Sequence, residues 1–235
     1  SRDRDDISAM TTRFITSSER IGFYLIFSSI AFVTMGEPLV DFLFERGKFT
    51  SEDTLYIWIV LAAYSLGLYA TGMSRLYQNL CYSFGDVKGP ARLAGFRVLV
   101  AGSVGFLLMF QLDRFAIDRN AIIKIGDFPS FSPLPEIERA LDTAPQPLGA
   151  LGLALGSSVA AWVEYSLLKK RVFEKFHIKK DPHLVRRFFL VPGLISAILA
   201  GTISFTLFDC NAYLVAPIAL LVSGIVYTFT SSFLG

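Results

Sequence analysis

The chain of 235 residues has little of what enzyme chemistry usually draws on: it carries two histidines and two cysteines. His177 and His183 sit in one basic stretch without the carboxylate spacing of an H-E-x-x-H metal helix, and there is neither a phosphate-binding P-loop nor a dinucleotide fingerprint. The glycines of "GDVKG", Gly85 to Gly89, follow a helical pattern rather than a strand, so they read as a helix-to-helix turn. A catalytic role, and with it a cofactor or metal, therefore has no residues to stand on. Cys81 and Cys210 are expected near opposite faces of a membrane, which excludes an intrachain disulfide. The first apolar run lacks an upstream basic region and a small-residue cleavage site, which excludes a secretory signal. The chain opens at Ser1 with no initiator methionine, so a cut N-terminus is expected.

What is abundant is apolar surface. Hydrophobic residues make up 53% of the chain, and its mean hydropathy is +0.51. They gather into runs of the roughly 20 residues that a spanning helix needs. The runs are Ile21 to Phe44, Leu55 to Phe84, Leu93 to Leu112, Leu148 to Leu168, Phe188 to Phe208 and Ala212 to Leu234. The expected fold is all-α, a polytopic transmembrane helix bundle of six spans.

The placement of Lys and Arg orients it. Arg2, Arg4, Arg13 and Arg20, then Lys88, Arg92 and Arg97, then Lys169 through Arg187, fall in one set of alternate loops, and the other set is poor in basic residues. Cytoplasmic loops retain positive charge, so both termini are expected inside. The predicted organisation is a cytoplasmic segment at 1–20, a three-helix part at 21–112, a periplasmic loop at 113–147, and a second three-helix part at 148–235 with a basic cytoplasmic loop at 169–187. The 1–20 segment is read either as an amphipathic helix on the inner surface or as a helical extension of a preceding span. The outer loop is rich in Pro, with room for one short helix around Pro135 to Leu141. The inner basic loop fits orientation and attraction to anionic membrane lipids, which leaves nucleic-acid binding unneeded.

Local signals set the helix ends. Gly47 supplies a turn, Thr50 and Asp53 have capping-box spacing, Gly85 suits a left-handed C-terminal position, and Pro90 suits a first helical turn. Gly and Ser in "LGLALGSSVAAW" and "PGLISAILAGTIS" permit close helix contact.

One residue stands out among apolar neighbours. Arg75 shares a helical face with Tyr64, Thr71, Gln78, Asn79, Tyr82 and Asp86, a polar stripe along the second span. Facing lipid, an arginine near the bilayer centre costs about 2.5 to 3.5 kcal/mol on insertion scales. Two readings stay open. Arg75 lies about 13 Å from the helix end near Phe84, within partial reach of a snorkelling side chain; or it faces a wet cavity, where its planar fork suits phosphate. The candidate substrate-binding residues are Arg75, Asn79, Gln78 and Thr71. Glu37 and Glu164, also within spans, read as interfacial or ion-paired residues rather than transport carboxylates.

The stretches "EPLVDFLFERGKFTSEDT" and "AAYSLGLYATGMSRLYQNLCYSFGDVKGPAR" resemble the MurJ/MviN lipid II flippases, whose corresponding region reads like P-hydrophobic-LLFERGxFTxxDT, AYxxGL and FYALGDTRTPVR. Cys81 and Phe84 depart from that pattern, while Lys88, Pro90 and Arg92 match its basic and proline positions, and Arg75 falls where the family commonly carries Arg or Lys. The resemblance covers about residues 37 to 92 specifically and runs collinearly onward. It implies the multidrug/oligosaccharidyl-lipid/polysaccharide exporter superfamily, with these six spans as the ninth through fourteenth of fourteen. It further implies an undecaprenyl-pyrophosphate-linked peptidoglycan precursor as substrate, alternating access by rocking lobes, and an N-terminal lobe as the partner that supplies most pyrophosphate-gripping cations. A polysaccharide or drug exporter of the same superfamily and a non-transporting membrane scaffold are the alternatives.

Overall fold

Turn chemistry sets where the helices begin and end. In the computed structural model, which describes residues 2–44, 47, 49–118, 121–125, 146–176, 195, 202 and 220–230, Thr50 and Asp53 form the reciprocal capping box. The Thr50 N–H donates to Asp53 Oδ2 at 2.8 Å and the Asp53 N–H donates to Thr50 Oγ1 at 3.4 Å. Gly47 and Gly85 both take the left-handed conformation, at φ 70° and 75°. At Gly85 the chain closes a Schellman motif: the Asp86 N–H donates to the Cys81 carbonyl and the Gly85 N–H to that of Tyr82, both at 2.9 Å.

Between these signals lie α1 (Arg2–Phe44), α2 (Ser51–Ser65), α3 (Leu68–Ser83) and α4 (Lys88–Leu112). Then come β1 (Phe115–Asp118), β2 (Ala121–Lys124), β3 (Gln146–Pro147) and α5 (Gly149–Phe176). Leu220–Thr230 form a further apolar helix, α6. Among the described residues four stretches are long and apolar enough to cross a membrane: Thr12–Phe44, Ser51–Ser83 (α2 and α3 together), Lys88–Leu112 and Gly149–Lys175. Of the remaining two expected spans, Phe188 to Phe208 lies outside the described residues apart from Ile195 and Thr202, and Ala212 to Leu234 is described only at α6.

The spans alternate in direction. Phe14 near the start of α1 packs with Met73, Tyr77, Leu80 and Cys81 of α3 and with Leu168 and Val172 of α5. At the opposite end Gln146 of β3 donates to Asp53 at the start of α2, at 2.6 Å. The four spans thus share one end rich in Lys and Arg and another capped by strands.

Three expectations change. Residues 2–20, read as an amphipathic surface helix or as the extension of a preceding span, continue instead into the first span: α1 runs unbroken for 43 residues, about 65 Å at 1.5 Å per residue and so about twice the hydrocarbon thickness. Phe14 and Ser18 are buried against neighbouring helices instead of lying on a surface. The 113–147 segment, expected as a loop, carries an antiparallel sheet of order β2-β1-β3 at its two ends. Its signal is the pair of short β-favouring runs "FAID" and "AIIK"; the helix suggested near Pro135 lies outside the described residues. Finally, Lys169 to Lys175 lie on α5 rather than in a loop, where Lys170 and Glu174 form an i, i+4 pair at 3.8 Å.

Helices α4 and α5 meet along a seam of glycine. A methyl added to Gly156 would fall on the backbone of Gly105, and one on Gly152 would fall on the backbone of Leu108 and Met109. Leu153 fills the space beside Gly105, 3.4 Å from where a Cβ would stand. Small residues at i and i+4 let two backbones come into contact, which is how helices gain dispersion energy where the solvent is itself apolar.

The second span is interrupted at Leu66–Gly67 between α2 and α3. Carbonyls at this break are taken up by side chains of two neighbouring helices. Ser158 donates to Ala63 at 2.6 Å, Trp162 donates to Leu66 at 2.9 Å and Ser29 donates to Ser65 at 2.6 Å. A broken helix at membrane depth is tolerated when protein groups satisfy the freed backbone.

Candidate functional site

The polar stripe of α3 divides. Arg75 and Asn79 are exposed, with Tyr82 beyond them and Tyr64 before them exposed as well. Gln78 and Thr71, one helical step to the side, point into the body. Gln78 is buried and donates through Nε2 to Glu164 Oε1 at 2.9 Å. Arg97 donates through Nη1 to Glu164 Oε2 at 2.9 Å and through Nη2 to Thr71 Oγ1 at 3.5 Å. The four candidate residues therefore belong to two sites: Arg75 and Asn79 on an outer face, Thr71 and Gln78 in an internal network linking α3, α4 and α5. A 100° turn per residue places all four within one broad sector, and packing against α5 then splits that sector along its edge.

Of the interfacial and ion-paired readings of Glu164, the structure has the ion pair, and its partner is Arg97. Its side chain is 1% exposed and that of Arg97 is 23% exposed. A carboxylate so deep in an apolar helix layer stays only if paired and hydrogen-bonded, and both of its oxygens are. Arg97, expected as an inner-loop cation, sits on the third turn of α4. Two charges of opposite sign inside two apolar runs, each roughly 14 to 17 Å from the basic end of its helix, are the sequence signal for this pair.

Asp86 is also displaced from the stripe, because the Schellman turn at Gly85 ends the helix before it. It accepts from Arg171 Nε at 2.8 Å and from Nη2 at 3.2 Å, and Lys175 Nζ lies 3.1 Å away. Its Oδ1 also accepts from the Gly89 N–H at 3.3 Å in the first turn of α4. The Arg171 fork holds the Asp86 carboxyl well below the usual carboxylate range; desolvation works against this, and Lys175 and the Gly89 amide add to it. Gly89 leaves the space in which the Arg171 guanidinium lies. An aromatic group, Tyr69, Tyr77, Trp162 and Tyr165, fills the α3–α5 contact around Glu164, with ring centroids 5.8 to 5.9 Å apart. Among the described residues no group of three or more His, Cys, Asp or Glu is placed to hold a metal. Cys81 is buried and free, and Cys210, His177 and His183 lie outside the described residues.

Among the described residues, four long apolar helices, with Glu164 and Arg97 paired inside them and Arg75 left exposed on one of them, define a multi-pass α-helical membrane protein. The family model described as "Lipid II flippase MurJ" matches residues 1–118, half of the chain, and the chain belongs to that family. Members of this family are transporters, not enzymes. Proteins named "Probable lipid II flippase MurJ" are similar over most of the chain. That of Rickettsia prowazekii (strain Madrid E) is 24% identical over 168 residues, 71% of this chain and 26% of the relative. The one from Rhizobium meliloti (strain 1021) is 28% identical over 178 residues, 75% of this chain and 26% of the relative. A third, from Buchnera aphidicola subsp. Schizaphis graminum (strain Sg), is 24% identical over 229 residues, 92% of this chain and 37% of the relative. The chain thus spans between a quarter and two fifths of the length of these relatives.

Proposed function

We propose that the chain forms the C-terminal part of a lipid II flippase working by alternating access in the bacterial inner membrane, with both termini cytoplasmic and the strand-capped end outside. Family membership supports the substrate class, and the collinear order of "FERGKFT" and "YSFGDVKGP" supports the C-terminal placement. The observation that carries the site is the division of the α3 stripe. Internal partners take up Thr71 and Gln78, and Arg75 and Asn79 remain exposed on a helix long enough to cross a membrane. An arginine left open there calls for a wet cavity or an anionic ligand rather than acyl chains. Arg75 is the substrate-facing cation of this part, its fork donating to a pair of pyrophosphate oxygens, and Asn79 one turn further on adds a neutral donor. Thr71 and Gln78 support that face from behind by fixing α3 against α4 and α5. The remaining grip on the pyrophosphate comes from an N-terminal lobe.

Complementation in a strain depleted of its own flippase tests this. Full-length protein should restore lipid II export, and its Arg75→Ala form should be impaired at equal membrane abundance while Arg75→Lys retains part of the activity. Normal export by Arg75→Ala would remove the residue from the transport path.

A further inference from the structure

At the basic end of the bundle, a cavity of about 380 Å³ opens between α4 and α5, lined by Leu93, Leu167, Lys170, Arg171, Glu174 and Lys175. Its chemistry is graded along the helix axis. Leu93 and Leu167 form apolar walls on the bilayer side, and the charged residues sit within the last two turns of α5. Leu93 lies about 8 Å along α4 from its start, so the cations stand near the helix ends, where phospholipid headgroups lie.

The charge balance is specific. Among the described residues, Lys170, Arg171 and Lys175 meet two carboxylates, Glu174 and Asp86, which leaves one positive charge. Arg171 spends Nε and Nη2 on Asp86, and its side chain is still 39% exposed; Lys170 is 72% exposed and only loosely paired with Glu174. The Asp86 contact thus holds the Arg171 guanidinium in place across the α3–α4 turn, at the head of a groove with hydrocarbon walls.

We infer that this groove binds one anionic phospholipid of the surrounding bilayer, its phosphodiester held by Lys170 and Arg171 and one acyl chain lying along Leu93 and Leu167. A singly charged phosphodiester matches the one residual positive charge. A pyrophosphate would bring at least one further negative charge beside Glu174, which is why bulk phospholipid rather than the proposed transport substrate is the occupant. The inference stands on this groove alone and does not depend on Arg75.

Native mass spectrometry of the full-length protein from a neutral detergent tests it, with titration by dioleoyl phosphatidylglycerol or dioleoyl phosphatidylcholine. Phosphatidylglycerol should be retained preferentially. The K170Q/K175Q variant, which removes the phosphate-holding Lys170 and the Asp86-paired Lys175 from the groove, should weaken the tightest adduct about thirtyfold if each basic residue contributes as it does at a membrane surface. E174Q, which removes the competing carboxylate, should strengthen retention. Equal retention of both lipids, unchanged phosphatidylglycerol binding by K170Q/K175Q, or weaker binding by E174Q would each overturn the inference. So would full displacement by soluble glycerol 3-phosphate, the mark of a free-phosphate site, or tighter binding of undecaprenyl pyrophosphate at the same residues. Arg75→Ala should leave the phosphatidylglycerol adduct unchanged, which keeps this result separable from the transport assay.

Discussion

Replacing Glu164 by leucine would leave two donors facing an apolar layer: Arg97 Nη1 and Gln78 Nε2 both lose the acceptor they hold at 2.9 Å. Removing one partner of a buried ion pair typically costs about 3 to 5 kcal/mol, chiefly because the other charge is stranded. Arg97 is 23% exposed and can relax toward the basic end, so the low end of that range, about 3 kcal/mol, applies here. Removing both charges strands neither. Arg97→Leu combined with Glu164→Leu should cost about 1 kcal/mol or less, most of it from the unpaired Gln78 amide. The expected coupling energy is therefore about 2 kcal/mol or more, well above the roughly 0.5 kcal/mol within which independent sites add. Equilibrium unfolding of the full-length protein in mixed micelles, carried out on the two single variants and the double, measures it. A double variant as unstable as the sum of the singles would refute the pairing, whatever the absolute losses.

At the glycine seam, Gly156→Ala should destabilise by about 1 to 3 kcal/mol, the usual cost of overpacking, because its methyl meets backbone that cannot rotate away. Gly102→Ala on the same helix layer meets open space and should be neutral or slightly stabilising in the same unfolding assay. The Asp86 carboxyl, depressed by Arg171, contributes stability that is present above its unfolded value of about 3.9 and is lost as pH falls below it toward the folded value. Micelle unfolding followed from pH 7 down to about pH 3 should show this loss, and Asp86→Asn should be less stable at pH 7 and lose less across that window.

Much of this architecture is legible in the residues. Helix ends at Thr50 and Gly85 depend on contacts within four residues of chain, so a single local pattern specifies them, and the structure has both. The strands around Phe115 and Ala121 are hidden by the Pro-rich segment beside them, because β1 acquires its second partner only from Gln146–Pro147, far along the chain. The same distinction governs the candidate site. Helical periodicity places Arg75, Asn79, Gln78 and Thr71 in one sector, but which edge of the sector is sealed depends on Glu164 and Arg97, on helices that the wheel of α3 does not contain. Arg97 was read as a loop charge for a related reason: the positive-inside rule counts basic residues near span ends and has no term for a carboxylate opposite them on another helix.

The contact at Gly105, Gly152 and Gly156 also bears on how such a molecule could move. Where the two backbones touch at this seam, few side chains interleave to slide past one another and no gap is left for lipid, so α4 and α5 would turn as a single rod. Any rearrangement of the bundle has its play elsewhere, on the α1 and α3 faces, where contacts run through pliable side chains such as Leu25 against Gly72.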